Sequence, residues 1–248
     1  MNTRTQKLFM WSELLVILLI GGGVFGVAGF FPPHEPARSA AEIAQIYQAE
    51  PTRIRAGLMM AVVGVIGVLC FAAVISEQMK RMKGVSPMLE RCQFGAGGLA
   101  QAIFASIVWI LWLTASYRPE RDPEITQVLN DMGWIIIVGL FTFAFIQNVT
   151  IAWAVFADAR ERPVFPRWVA YLNVWVAASY LLSVFVIFFK TGPFAWNGLL
   201  AFYVPFPVFG VWIFAMIAAL RTAIRQQEEE QGRGEATPAR LDAWSVRA

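Results

Sequence analysis

The stretch Trp134 to Phe156, WIIIVGLFTFAFIQNVTIAWAVF, carries no charged residue and is long enough to cross a bilayer, a task that takes about 20 apolar residues in a helix. Two thirds of the way along it sit Gln147, Asn148 and Thr150. An amide in hydrocarbon costs several kcal/mol unless another group pairs with it. Other helices must therefore meet this one at that level, and the rest of the chain reads as helices arranged around it.

Composition agrees with that reading. Of the 248 residues, 58% are hydrophobic and only 15% charged, and the mean hydropathy is +0.56. This is the profile of a polytopic membrane protein, with room for one compact membrane domain and no sizeable soluble one. The net charge is +3. In a membrane protein the basic residues mark the cytoplasmic face, so the balance points away from nucleic acid as a partner. There is a single histidine, His34, and there are two cysteines, Cys70 and Cys92. Bis-histidine haem, histidine-rich copper and di-iron carboxylate sites all need more ligands than this. The sequence thus predicts no metal and no cofactor.

Six spans are expected. The first runs from Leu8 to Phe31, too long for a signal-peptide core, and its second half is rich in glycine. Gly22 and Gly26 there form a small-xxx-small pair that would let another helix approach. Pro32, Pro33 and Pro36 stop it. In the polar loop 32–55, Ser39-Ala-Ala-Glu42 is a capping box and opens a short helix lying on the membrane surface, which Pro51 ends. The second span is Ala56 to Ile75, with Gly64 and Gly67 as packing notches, followed by a basic segment and a loop over 84–94. The third runs from about Gly95 to Tyr117. Asp122-Pro123-Glu124 then opens a second short surface helix, up to Asn130. The fourth span is the opening stretch, the fifth covers Trp168 to Phe189, and the sixth covers about Leu199 to Leu220. Pro205 and Pro207 must kink or split the sixth. The expected fold is an all-α polytopic membrane bundle of six transmembrane helices, with short interfacial helices in the external loops. Residues 1–225 form the membrane domain, and 226–248 a polar, disordered cytoplasmic tail.

Six spans put both termini on one side. Arginine and lysine are in excess in the termini and the loops on that side, so both termini are expected in the cytoplasm. With that topology Glu13, Gln101 and Asn173 lie in the cytoplasmic third of their helices, and Gln147, Asn148 and Thr150 at a similar depth. Intramembrane polar residues usually face the protein interior. Glu13, Gln101, Gln147, Asn148 and Asn173 are therefore the candidate ligand-binding residues. The competing reading is interhelical hydrogen bonding that only fixes helix register. His34 with the adjacent Glu35 is too little for a metal site and reads as a solvated loop residue. Cys70 reads as buried packing and Cys92 as an inert loop thiol. No phosphate loop, no GxSxG and no acid pair at catalytic spacing is present, so no catalytic residue is assigned.

Three stretches together resemble a family of uncharacterised bacterial six-span membrane proteins: the first span ending in FFPP, SAAEIAQIYQAEPTRIRAG leading into the second, and GPFAWNGLLAFYVPF before the last. The resemblance implies the six-helix architecture and carries no activity, substrate or catalytic residue.

The sequence reads as a non-catalytic integral membrane protein of the bacterial inner membrane. It would bind a hydrophobic small molecule or partner membrane helices, as a homo-oligomer or as a subunit of a membrane complex. A small membrane enzyme acting on a lipid-like substrate, with Glu13 as acid or base, and a transporter of an apolar compound are the alternatives.

Overall fold

The computed structural model describes residues 3–236. It is 79% helical, with no strand among the described residues, and six helices are long and apolar enough to cross a membrane. The chain is an all-α, multi-pass membrane protein. In chain order the helices are α1 (Thr3–Val27), α2 (Ala40–Ala49), α3 (Pro51–Met79), α4 (Pro87–Tyr117), α5 (Pro123–Ala157), α6 (Arg167–Phe188) and α7 (Leu199–Arg233). All but α2 are spans.

The helix starts follow local chemistry. The Ser39 side chain accepts from the Glu42 amide at 3.4 Å while the Glu42 carboxylate accepts from the Ser39 amide at 2.8 Å, the reciprocal pair that opens α2. Ser86 caps Met88 ahead of α4 at 3.3 Å, and Asp122 caps Glu124 ahead of α5 at 2.8 Å. Each cap is followed by proline in the first turn, where its missing N–H costs nothing. The turn after α5 is built on Asp158, whose carboxylate accepts from the amides of Lys83, Arg160 and Val164 at 3.0, 3.2 and 2.9 Å.

Several boundaries differ from the sequence reading. The short helix stops at Ala49 ahead of Pro51, as expected, but Pro51 also opens α3, because proline at the first helical position is tolerated. Pro87–Phe94 is helix leading straight into the third span, where a loop was expected. The expected surface helix 123–130 is not separate: Pro123–Trp134 is continuous with the fourth span. Beyond the span given for α7 the helix runs on to Ala236, so 226–236 is helix where a disordered tail was expected. The remainder of that tail lies outside the described residues.

The contact of α1 against α3 is close, and it uses glycines. A Cβ on Gly67 would stand 2.5 Å from the Val16 side chain and 2.7 Å from the Ser12 carbonyl oxygen. The Ser12 hydroxyl bridges the same contact by donating to the Gly67 carbonyl at 2.9 Å. Gly64 likewise receives Ile20 and Leu19, so the notch expected on the second span is real. The pair expected on the first span is displaced. Gly22 and Gly26 face open space, whereas Gly23 and Gly57 interlock, with a Cβ on Gly57 only 2.3 Å from the Gly23 oxygen. The physical reason is that residues 17–27 form a π-helix, whose wider turn shifts which residue faces the neighbour.

Candidate functional site

Helical regularity fails in several of the spans. Ile17–Val27 of α1, Gly95–Ala100 of α4 and Ile135–Gly139 of α5 are π-helical. The α5 helix then breaks at Leu140, where φ −106 and ψ 49 leave the helical region, and restarts at Thr142. In α7 the π turn Leu199–Tyr203 gives way at Val204 to a helix beginning with Pro205. Pro205 and Pro207 thus split the span, as their chemistry requires. Wide turns and broken spans free backbone groups and redirect side chains, and they concentrate at functional sites.

The irregular segments of α1 and α5 line a cavity of about 170 Å³ between α1, α4, α5 and α7, with Val68 of α3 also in its wall. Its walls carry Ile20, Val24 and Phe25 from the π turn of α1, Leu140 and Phe141 from the break in α5, and Phe206 beside the break in α7. Glu13 and Gln101 stand at one end; Trp112 and Trp134 close the other. From Gln101 to Trp112 the α4 rise alone spans about 16 Å, so the space is elongated along the membrane normal. Apart from the two polar residues at its foot, every lining side chain is apolar or aromatic.

The Glu13 side chain is 4% exposed and no described residue donates a hydrogen bond to its carboxyl. A buried carboxyl without a partner is held at the cost of lost hydration, and here it faces the cavity. Gln101 is half-buried beside it, and its amide donates to the Gln147 carbonyl oxygen at 3.2 Å. Gln147 can approach because Gly97 has no side chain: a Cβ there would lie 2.2 Å from the Gln147 carboxamide. Gln147 thus holds Gln101 from behind and does not itself line the cavity.

The other two candidates lie elsewhere. Asn148 is buried, but its amide donates to the Ala144 carbonyl one turn back at 2.8 Å, and its own carbonyl oxygen has no partner. Asn173 is fully buried between α6 and α7. Its amide donates to the Val169 carbonyl at 2.7 Å and its carbonyl oxygen accepts the Trp212 indole N–H at 3.0 Å. That is the register-fixing arrangement. The structure therefore lines one cavity with Glu13 and Gln101, sets Gln147 behind Gln101, and leaves Asn148 and Asn173 outside the cavity.

A cap covers the aromatic end. His34 is buried at 7% exposure, correcting its reading as a solvated loop residue. Its Nδ1 meets the Asn130 carbonyl oxygen at 3.2 Å, and that oxygen also accepts from the Tyr47 hydroxyl at 3.2 Å. The Trp196 indole donates to the His34 carbonyl at 2.5 Å. Phe30 fills the centre, its ring 5.0 Å from Trp112 and 5.8 Å from Tyr47. The loop after α1, the helix α2, the start of α5 and the turn before α7 are tied into one plug. Burial pushes the His34 pKa down to about 4, partly offset by the hydrogen bond to Asn130. The ring is neutral at pH 7. The sequence signal for this plug was weak: three of its members, His34, Tyr47 and Trp196, lie in three separate segments between or beside spans.

Among the described residues no group of three or more His, Cys, Asp or Glu side chains gathers in a way that could hold a metal ion. Comparison with family models, curated proteins and solved structures finds no match, so the family resemblance rests on the quoted stretches alone.

Proposed function

We propose that this chain is an integral membrane protein that binds a hydrophobic small molecule in the cavity between α1, α4, α5 and α7. The ligand's apolar body lies along the phenylalanines, and one polar group meets Glu13 and Gln101. The observation that carries the reading is the unpartnered Glu13 carboxyl at the foot of an otherwise apolar, aromatic cavity. Binding sites for small apolar molecules combine such walls with a few placed polar groups. The protein acts in a bacterial inner membrane with both termini in the cytoplasm, consistent with its excess of basic residues on that side, as a homo-oligomer or a subunit of a membrane complex. No catalytic role is assigned to it.

A native mass spectrum of the detergent-purified protein tests this, because it reports bound ligand and oligomeric state together. An adduct of a small apolar molecule, lost in Gln101→Leu, is the expected result. A ligand-free spectrum in several mild detergents overturns it.

The breaks at Leu140 and Val204 favour a second reading, transport of an apolar compound, since split spans beside a central site are the structural sign of alternating access. Ligand passage across a reconstituted bilayer separates the two. Conversion of the adduct by the wild type but not by Glu13→Gln would point instead to a lipid-directed enzyme.

A further inference from the structure

On the side of the termini, α1 and α7 meet in a groove of about 280 Å³ lined by Lys7, Met10, Trp11, Arg221, Ile224 and Arg225. Lys7 and Trp11 are four residues apart on one helix, Arg221 and Arg225 four apart on the other, so each pair shares a helix face. The Arg221 guanidinium lies 5.8 Å from the centre of the Trp11 ring, within cation–π range. Met10 and Ile224 are buried and form the floor.

The charge on this groove is only partly neutralised within the protein. Of the acidic run of α7, Glu228 pairs with Lys7 on the rim of the groove at 2.7 Å and lies within electrostatic reach of Arg225, whereas Glu229 is engaged elsewhere with Arg162 at 2.9 Å, and Glu230 with Arg81 at 2.9 Å and Arg160 at 2.5 Å. Arg221 and Arg225 are left exposed, without a hydrogen bond or ion pair to any described residue. Their height fixes what they can meet. The apolar run of α7 ends at Leu220 and that of α1 begins at Leu8, so both guanidiniums stand where hydrocarbon gives way to headgroups. Below them the α1 face continues through Leu15 and Leu18, exposed at 49% and 63%.

We propose that this groove binds the phosphodiester headgroup of an anionic membrane lipid. The phosphate is held by Arg221 and Arg225, whose planar forks match it. The glycerol backbone lies against Trp11, and an acyl chain runs down past Leu15 and Leu18. Basic pockets between spans at the headgroup level are the recurring form of such sites. This site is independent of the ligand cavity.

The test uses the full chain reconstituted in phosphatidylcholine bilayers doped with phosphatidylglycerol, with retained lipids identified by native mass spectrometry after mild extraction. The wild type retains phosphatidylglycerol in preference to phosphatidylcholine, and Arg221→Gln/Arg225→Gln lowers that preference on the order of tenfold with an unchanged melting temperature. Both arginines are exposed, so folding is expected to survive. Should it fail, the wild type alone decides: its preference must fade as salt rises from about 0.1 M to about 1 M. Equal retention of the two lipids by the wild type overturns the proposal. So does a preference insensitive to both arginines and to salt. Inorganic phosphate that displaces the lipid at millimolar concentration would mark a site for a free anion, and would overturn the lipid assignment.

Discussion

At the scale of single residues, the polar side chains inside the membrane divide by what they touch. Asn173 receives an indole N–H from another helix; Asn148 bonds to its own; Glu13 takes no hydrogen bond from any described residue and lines a cavity. Their substitutions should therefore part company. Glu13→Gln keeps the shape and remains able to hydrogen-bond, so the melting temperature should stay within the scatter of a neutral change, about 0.5 kcal/mol, while retention of the cavity ligand falls. Thermal melts in detergent and native mass spectra of the same samples check both halves. Asn148→Leu strands no interhelical partner and removes a carbonyl oxygen that is buried and unpaired, so it should be neutral or mildly stabilising and leave ligand retention alone. A loss of more than about 1 kcal/mol would show that the oxygen does have a hydrogen-bonding partner.

At the scale of elements, the α1–α3 contact predicts opposite fates for neighbouring glycines. Gly67→Ala forces a methyl into the Val16 side chain and the Ser12 carbonyl at 2.5 and 2.7 Å, and Ser12 is already tied to the Gly67 carbonyl. Overpacking of that kind costs about 1–3 kcal/mol. Gly22→Ala meets nothing within 4 Å and should leave the monomer's stability unchanged. Paired melting curves decide. If Gly22→Ala alone lowers the oligomeric state, that face of α1 packs against another copy. Gly97→Ala belongs to the same class with a functional consequence. Its methyl would displace Gln147, release Gln101 from behind, and weaken ligand retention more than it weakens the fold.

At the scale of the whole molecule, two features set global behaviour. One is the plug centred on His34. Its folded pKa of about 4 lies below the ordinary value of 6.5 because burial disfavours the charged ring. The unfolded chain therefore binds the proton first as pH falls. Stability from this group is complete above about pH 6.5 and is lost progressively down to about pH 4, by an amount on the order of 3 kcal/mol. Melting temperatures of the wild type should drop across that window, and those of His34→Gln should drop less. Identical pH profiles would remove the histidine from the account. The other feature is orientation. A reporter fused to the C-terminus should be active when it requires the cytoplasm and silent when it requires the periplasm; the reverse pattern would invert the bundle.

Much of this architecture was legible without coordinates. Uncharged runs of about 20 residues have one stable home, so the six spans follow from composition and length. The capping box at Ser39, the Asp122 cap and the proline break at Val204 follow from local chemistry confined to a few neighbouring residues. What lay beyond reach was anything set by where separate helices meet. The π turn in α1 moved the glycine contact from Gly22 to Gly23 and Gly57, because its register depends on α3. Gln101 and Gln147 meet only because Gly97 makes room. Asn173 faces Trp212 instead of a cavity, and the His34 ring packs against Trp134 while its carbonyl accepts from Trp196, both distant in sequence. Hydrophobic periodicity assigns residues to the membrane but leaves it open which faces meet, since lipid and protein interior are almost equally apolar to a leucine or a phenylalanine. Tertiary packing alone decided which of the five polar residues face an open cavity.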